Sequence, residues 1–282
     1  MAAVARSRID SPKNPRVKEL LRLHERRARE REGRTLVEGT RETLRAAEAG
    51  VRIDTLLVAP DLLRPDGRAL AQRLERVGVA VVELAEPAFA RLSRRQGPDG
   101  VLAVARPPRP RLDELVLPAD ALVLVAIGTE KPGNLGALAR SADAASAAAL
   151  IAVEGEGTDP WNPAAIRASM GAVFSVPTVT APETEVRGWL DRHALRVVAA
   201  TPDAEDEIWD ADLTGPVALL LGPEHEGLDD AWRDLADVRV RVPMGGRADS
   251  LNVAVTGALL LFEAMRQRRA PPRVGTPAGP RL

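Results

Sequence analysis

Val238-Arg-Val-Arg-Val-Pro-Met-Gly-Gly-Arg-Ala-Asp-Ser-Leu-Asn-Val253 passes from an alternating strand through a Gly-rich turn into an apolar run that ends at Leu261-Phe-Glu-Ala264. A strand, a turn and a helix start in this order form a cradle for a small ligand, with polar side chains held beside it. The run over 253–265 is apolar on most sides, which predicts a buried helix. Ser250 sits where an N-cap belongs, with free backbone N–H groups after it. A serine cap on a core helix explains Ser250 equally well. It leaves Asn252 unexplained, because a cap needs only one residue.

Outward from this step the same alternation repeats. Buried strands are predicted at 121–127, 149–153, 195–200, 217–221 and 238–242, and helices near 134–146, 163–172, 183–193, 229–235 and 251–268. Strands alternating with helices imply an α/β fold, with a parallel sheet covered by helices on both faces. Ligands in such sheets sit beyond the carboxyl ends of the strands, where the polar, Gly-rich segments fall. The chain before this region reads as a smaller α/β unit. Its pattern predicts a helix opening at Ser11-Pro12 and running to about Arg31, a second over 40–49 and a third near 66–77, with strands at 53–58, 79–84 and 101–105.

Four prolines in 106–118 remove backbone donors and favour extended chain, which places a linker at 107–118 between a first domain, 1–106, and a second, 119–269. Residues 270–282, rich in Pro and Gly, read as a flexible tail. With 282 residues, 45% of them hydrophobic, the chain is long enough for two cores. The absence of cysteine excludes disulfides, thiolate catalysis and Cys-based zinc sites. His24, His193 and His225 share no metal-ligand spacing, so no metal is expected. No membrane-spanning run and no signal pattern is found, and a cytoplasmic protein is expected.

The formal net charge of −1 hides an asymmetry: residues 1–111 carry 24 Lys+Arg against 15 Asp+Glu, and the remainder carries 15 against 25. A basic half joined to an acidic one suggests that the first half meets a polyanion. Only three of the 39 basic residues are lysines, and arginine's planar fork suits phosphate. Phe89 is the one aromatic residue there, which argues against base-stacking and for a grip on phosphates and shape.

Two further segments carry chemistry. Glu130-Lys-Pro-Gly-Asn-Leu-Gly-Ala-Leu-Ala-Arg-Ser-Ala-Asp143 follows the first strand of the second domain, and Asn134 is placed to cap the helix that bears Arg140. Read alone, this is equally a capped helix with one outward arginine. Gly133 and Gly136 meet neither the dinucleotide-binding nor the P-loop spacing. Leu219-Leu-Leu-Gly-Pro-Glu-His-Glu-Gly-Leu228 ends a buried strand at Gly222, where no Cβ bars a ligand from the backbone. An ordinary strand-to-helix turn reads the same way, and His225 reads as exposed.

In this order, the three segments resemble the signature motifs of the SpoU/TrmH-type SPOUT methyltransferases. The first motif is matched by Asn134 and Arg140, the second by Gly222, Glu224, Gly227 and Leu228, and the third by Val242-Pro-Met244 and Ser250-Leu-Asn-Val253. Ser11-Pro-Lys-Asn-Pro-Arg-Val-Lys18 and Leu36-Val-Glu-Gly39 resemble the L30e-like RNA-binding domain that precedes the catalytic domain in many members. Ser141 stands where threonine is common, and Ala144-Ala-Ser146 where a glycine often closes the first motif.

The resemblance implies transfer of a methyl group from S-adenosylmethionine to a ribose 2′-hydroxyl of RNA. It also implies a deep trefoil knot in the second domain and a homodimer formed through it. The implied catalytic set is Arg140, Asn134, Glu224, Ser250 and Asn252. Gly222, Val242, Met244 and Leu251 are the implied cofactor contacts, with Thr201 as a neighbour. Arginine essentially never gives up its proton, so Arg140 is expected to clamp the adjacent phosphate and stabilise the developing alkoxide rather than act as a bare base. The separate basic domain favours ribosomal over transfer RNA. Two other readings are an inactive knotted RNA-binding protein and a nucleotide-dependent dehydrogenase. The second lacks its Gly-x-Gly-x-x-Gly turn.

Overall fold

A computed structural model describes residues 7–155 and 157–269; the tail expected at 270–282 lies outside them. The chain builds two sheets in succession. The first contains β1 (Ser7–Ile9), α1 (Pro15–Leu21), α2 (Arg26–Glu32), β2 (Thr35–Glu38), α3 (Thr40–Glu48), β3 (Arg52–Val58), α4 (Pro65–Arg76), β4 (Ala80–Leu84), α5 (Glu86–Leu92) and β5 (Val101–Arg106). Its strand order is β1-β4-β3-β5-β2, with β5 antiparallel to both neighbours.

The second contains β6 (Leu122–Ala126), α6 (Pro132–Ala144), β7 (Ala149–Val153), α7 (Pro163–Ala168), β8 (Thr178–Ala181), α8 (Glu183–Arg192), β9 (Arg196–Ala200), β10 (Asp206–Glu207), β11 (Val217–Leu221), α9 (Asp230–Leu235), β12 (Val238–Arg241) and α10 (Val253–Arg269). All seven strands are parallel, in the order β10-β12-β9-β11-β6-β7-β8.

The apolar runs form central strands because helices cover both faces. Along β6, Leu122, Leu124 and Ala126 enter one core while Val123 and Val125 enter the other. This period of two, buried on both sides, turns a strand into a continuous hydrophobic run. The core holding Leu122 and Leu124 continues into the first sheet through Val37, Leu56 and Ala103. The two units therefore share apolar contact. At their junction Arg29, itself buried, pairs with Asp159, and Thr35 Oγ1 donates to the Trp161 carbonyl at 2.6 Å.

The long first helix expected from Ser11 to about Arg31 is broken. Asn14 caps α1 by accepting from Arg16 N at 2.9 Å, and extended backbone at Glu25 separates a short 3-10 turn from α2. The break is stable because Arg29 Nη1 donates to the Leu23 and His24 carbonyls at 3.1 and 2.9 Å. Those groups are orphans of the helix end. Four strands were not expected: β1, β2, β8 and β10. Each of the four lies at or near an edge and is two to four residues long.

Candidate active site

Chain order in the larger sheet reverses at β6. β7 and β8 follow on one side, while β11, β9, β12 and β10 lie on the other. A crevice beyond the carboxyl ends of the strands is expected at such a switch. A cleft of about 880 Å³ lies to one side of it, at the ends of β9, β11 and β12 and the approach to α10. Small-molecule clefts run to ~300–1,000 Å³. Thr201, Gly222, Val242, Met244 and Leu251 all line it, with Glu224 and Ser250.

The cleft's wall is built from closely apposed backbone. A Cβ on Gly222 would lie 2.8 Å from Leu228 N and 2.9 Å from Gly227 C, so the end of β11 and the following loop touch main chain to main chain. Thr201 is buried, and its Oγ1 lies near Asp203 without hydrogen-bond geometry to any protein group. On the rim, the Arg233 guanidinium donates to Asp203 and holds its carboxyl below the usual range. Arg241 Nη1 ties back to the Ala204 carbonyl at 2.8 Å. A buried hydroxyl without a protein partner, exposed backbone around 222–228 and the half-buried apolar residues Val242 and Leu251 suit a ligand with both apolar and polar parts.

Beside the cleft three distant segments meet. Asn252 Nδ2 donates to Asn134 Oδ1 at 3.1 Å, Asn134 Nδ2 donates to Glu224 Oε1, and Glu224 Oε2 accepts from Lys131 Nζ at 3.1 Å. These contacts join residues 118, 90 and 93 positions apart. The direction of the chain is fixed at one end. Asn252 Oδ1 already accepts from Ala254 N at 3.0 Å, so its amino group turns to Asn134. Lys131 was not singled out in the sequence. Its only signal was to be one of three lysines, in the turn before Asn134.

Two assigned roles change. Asn134 does not cap α6, which opens at Pro132; it stands at the third helical position, where its side chain is free to reach Glu224. Ser250 does not cap α10. That role belongs to Asn252, through Ala254 N and through its own carbonyl, which accepts from Val255 N and Thr256 N. Ser250 is exposed and makes no hydrogen bond among the described residues. Removing the cap in Asn252→Ala is expected to lower unfolding free energy by about 1 kcal/mol, whereas Asn252→Ser keeps a cap and stays near wild type. Equal losses in urea titrations of the two variants would contradict the cap.

The structure does not bring Arg140 to this cluster. Six positions beyond Asn134 it lies about 240° round the helix. It is exposed, does not line the cleft and makes no hydrogen bond or ion pair among the described residues. A second cleft, of about 910 Å³, opens between the two units near Arg26, Arg109 and Trp189, and none of the site residues expected from sequence lines it.

Known proteins share both the sequence pattern and the shape. The SpoU rRNA Methylase family matches residues 121–262, and the MRM3-like substrate binding domain matches residues 14–103. A 23S rRNA (uridine(2479)-2′-O)-methyltransferase of Streptomyces viridochromogenes is 36% identical, over 87% of this chain and 87% of its own. A solved RNA 2′-O ribose methyltransferase superposes with a TM-score of 0.82 at 48% identity, over 92% of this chain and 98% of the other. An AdoMet-bound rRNA methyltransferase from Sinorhizobium meliloti superposes at 0.83 with 32% identity, over 92% and 97%.

Proposed function

The chain belongs to the SpoU rRNA methylase family, and from that membership we propose that it transfers a methyl group from S-adenosylmethionine to a ribose 2′-hydroxyl of RNA, in 23S-type ribosomal RNA. The observation that carries this reading is the convergence of Asn134, Glu224 and Asn252 at the rim of a cleft whose wall includes all five expected cofactor contacts. The relatives described above act on 23S rRNA or are named as rRNA or RNA 2′-O methyltransferases, which favours ribosomal RNA over transfer RNA. A knotted second domain and a cytoplasmic setting, where ribosomal RNA is found, belong to the same reading. Among the described residues no helix is long and apolar enough to cross a membrane.

In this reading Gly222, Val242, Met244 and Leu251 hold the cofactor along the cleft, and Thr201 offers its free hydroxyl. Bound there, S-adenosylmethionine supplies a methyl group already activated by its sulfonium. The protein's work is to align the acceptor oxygen and to ease loss of its proton. Glu224, neutralised on one side by Lys131, orients Asn134, and Asn134 orients Asn252. Asn134 and Asn252 fix the ribose, and Ser250 with its unengaged hydroxyl joins them. Arg140 clamps the adjacent RNA phosphate, which takes the hydroxyl proton, and steadies the charge that develops on the oxygen.

Arg140 reaches this site from a second copy of the chain. On α10 Val255 and Phe262 are 47% and 44% exposed, and Ala258 and Leu259 between them are only half-buried. On neighbouring α6 Gly133, Ala137, Arg140, Ser141 and Ala144 are among the residues left open, with Pro132, Asn134 and Asp143. An apolar helix face of this kind beside small residues fits a two-fold contact, in which the same face of both subunits meets and α6, with its Arg140, lies against the partner. Calorimetric titration tests the cofactor half directly. S-adenosylmethionine is expected to bind and NAD not to; binding of NAD alone would favour the dehydrogenase reading.

A further inference from the structure

Glu38, at the end of β2, is 3% exposed and surrounded by donors. Ser93 Oγ donates to its Oε1, as does Arg95 N at 3.2 Å, while Oε2 accepts from Arg94 N at 3.2 Å and Arg167 Nη1 at 3.3 Å. One buried carboxylate thus folds the loop after α5 over itself. Of the loop's own side chains Arg94 is exposed and Arg95 half-buried, with Arg91 exposed one turn earlier on α5. Arg91, Arg94 and Arg95 make no side-chain hydrogen bond or ion pair among the described residues. Arg95 Nη1 lies 3.0 Å from where a Cβ on Gly39 would stand, and the Glu42 carboxylate abuts the same point. Exposed Arg41 pairs with Glu42, itself 1% exposed, at 3.0 Å.

The fourth donor to Glu38 comes from the other unit. Arg167 is on α7, and α7 lies directly against α6: a Cβ on Gly136 would strike the Ala165 carbonyl and Ala168 Cβ. The segment after α7 also rests on the first unit, because a Cβ on Gly171 would meet Glu42 Cα at 3.1 Å. The loop that carries the free arginines is therefore fastened, through one carboxylate, to the helix pair that carries Asn134 and Arg140.

We propose that Arg41, Arg91, Arg94 and Arg95 form a platform for the phosphates of the RNA, folded by Glu38 and held at a fixed distance from the methyl-transfer helix by Arg167. The proposal rests on the RNA methyltransferase reading. Glu42 holds the Arg41 guanidinium, and Glu38 fixes the backbone from which Arg94 and Arg95 project, so the platform is shaped before RNA arrives while the guanidinium donors of Arg91, Arg94 and Arg95 stay unused. Phosphate is the fitting partner rather than base, because Phe89, the one aromatic side chain of this half, is fully buried. Arg167 is a positioning residue: it acts through Glu38.

The test is the salt dependence of binding to a 23S rRNA transcript. In the Arg94→Ala/Arg95→Ala variant the slope of log K against log salt is expected to become shallower by about two, one for each phosphate that no longer meets a guanidinium. S-adenosylmethionine affinity stays unchanged and serves as the check on folding. Arg73→Ala/Arg76→Ala, at exposed positions at the end of α4, where Arg73 meets Glu48 at the opposite end of α3 from Arg41, keeps the wild-type slope. An unchanged slope in the Arg94/Arg95 variant overturns the platform. For the strut, Arg167→Gln is expected to lower kcat more than it raises KM for RNA, and Arg167→Lys to recover part of the loss; wild-type kcat and KM in Arg167→Gln overturn that role. The salt slope is read without methyl transfer, so a wild-type protein that binds RNA and transfers nothing counts against the proposed function and not against the platform.

Discussion

Replacing Arg140 by alanine is expected to remove methyl transfer, by roughly a hundred- to a thousandfold or more, the loss that follows removal of a donor to a developing oxyanion. S-adenosylmethionine affinity is expected to survive, because Arg140 does not line the cleft. The guanidinium is exposed and unengaged within its own chain, so the substitution opens no core cavity and leaves no buried charge. A fall in transfer accompanied by an equal fall in thermal stability would point to a structural role instead. Full turnover in this variant would remove Arg140 from the mechanism.

The second large effect is expected from Gly222→Val. Leu228 N at 2.8 Å and Gly227 C at 2.9 Å from the ideal Cβ position are both backbone atoms, which cannot move without dragging the loop. Overpacking of this kind costs about 1–3 kcal/mol, or about 5- to 150-fold in an equilibrium constant. That factor falls on the folding equilibrium; the displaced loop also carries Glu224 and the cleft wall, so the cofactor dissociation constant rises and transfer falls further. Binding of RNA through the arginine platform is retained, since none of its residues touches this loop. Wild-type cofactor affinity in Gly222→Val would remove the strand end from the cofactor site.

The two variants together test where Arg140 acts. A mixed dimer of Arg140→Ala and Gly222→Val subunits contains one site with an intact cleft and an arginine supplied by the other subunit. Activity recovered on mixing two inactive proteins is expected if Arg140 works across the two-fold contact. No recovery from a mixture shown to form mixed dimers would place Arg140 with its own chain's cleft.

The sequence made the central strands of the larger sheet, β6, β7, β9 and β11, legible because they are buried on both faces. Runs such as Leu122–Ala126 and Val217–Leu221 carry no polar residue to obscure them. β2 was not legible for the opposite reason. Thr35 and Glu38 are polar, and both are buried because the second unit covers that edge, Trp161 accepting from one and Arg167 donating to the other. No local pattern encodes a contact between residues 126 or 129 positions apart.

The same limit applies at the site. Spacing marked Asn134, Gly222, Glu224 and Asn252 as notable, and family resemblance joined them. Their hydrogen-bonded order, with Lys131 at one end and Asn252 as the cap, comes only from the folded chain. Ser250 looked like the cap because serine is a common one; the helix begins later, and an asparagine nearer its start takes the position. Arg140 lies on the flank of α6 away from Asn134, and helical periodicity alone would have revealed it.

The central claim is methyl transfer to a ribose hydroxyl, and it is tested most directly by incubating the protein with a 23S rRNA transcript and methyl-labelled S-adenosylmethionine, then digesting the RNA to nucleosides. Label is expected in a single 2′-O-methylated nucleoside, and none with Arg140→Ala. Label on a base, or no transfer to ribosomal RNA by the wild-type protein, would contradict the claim.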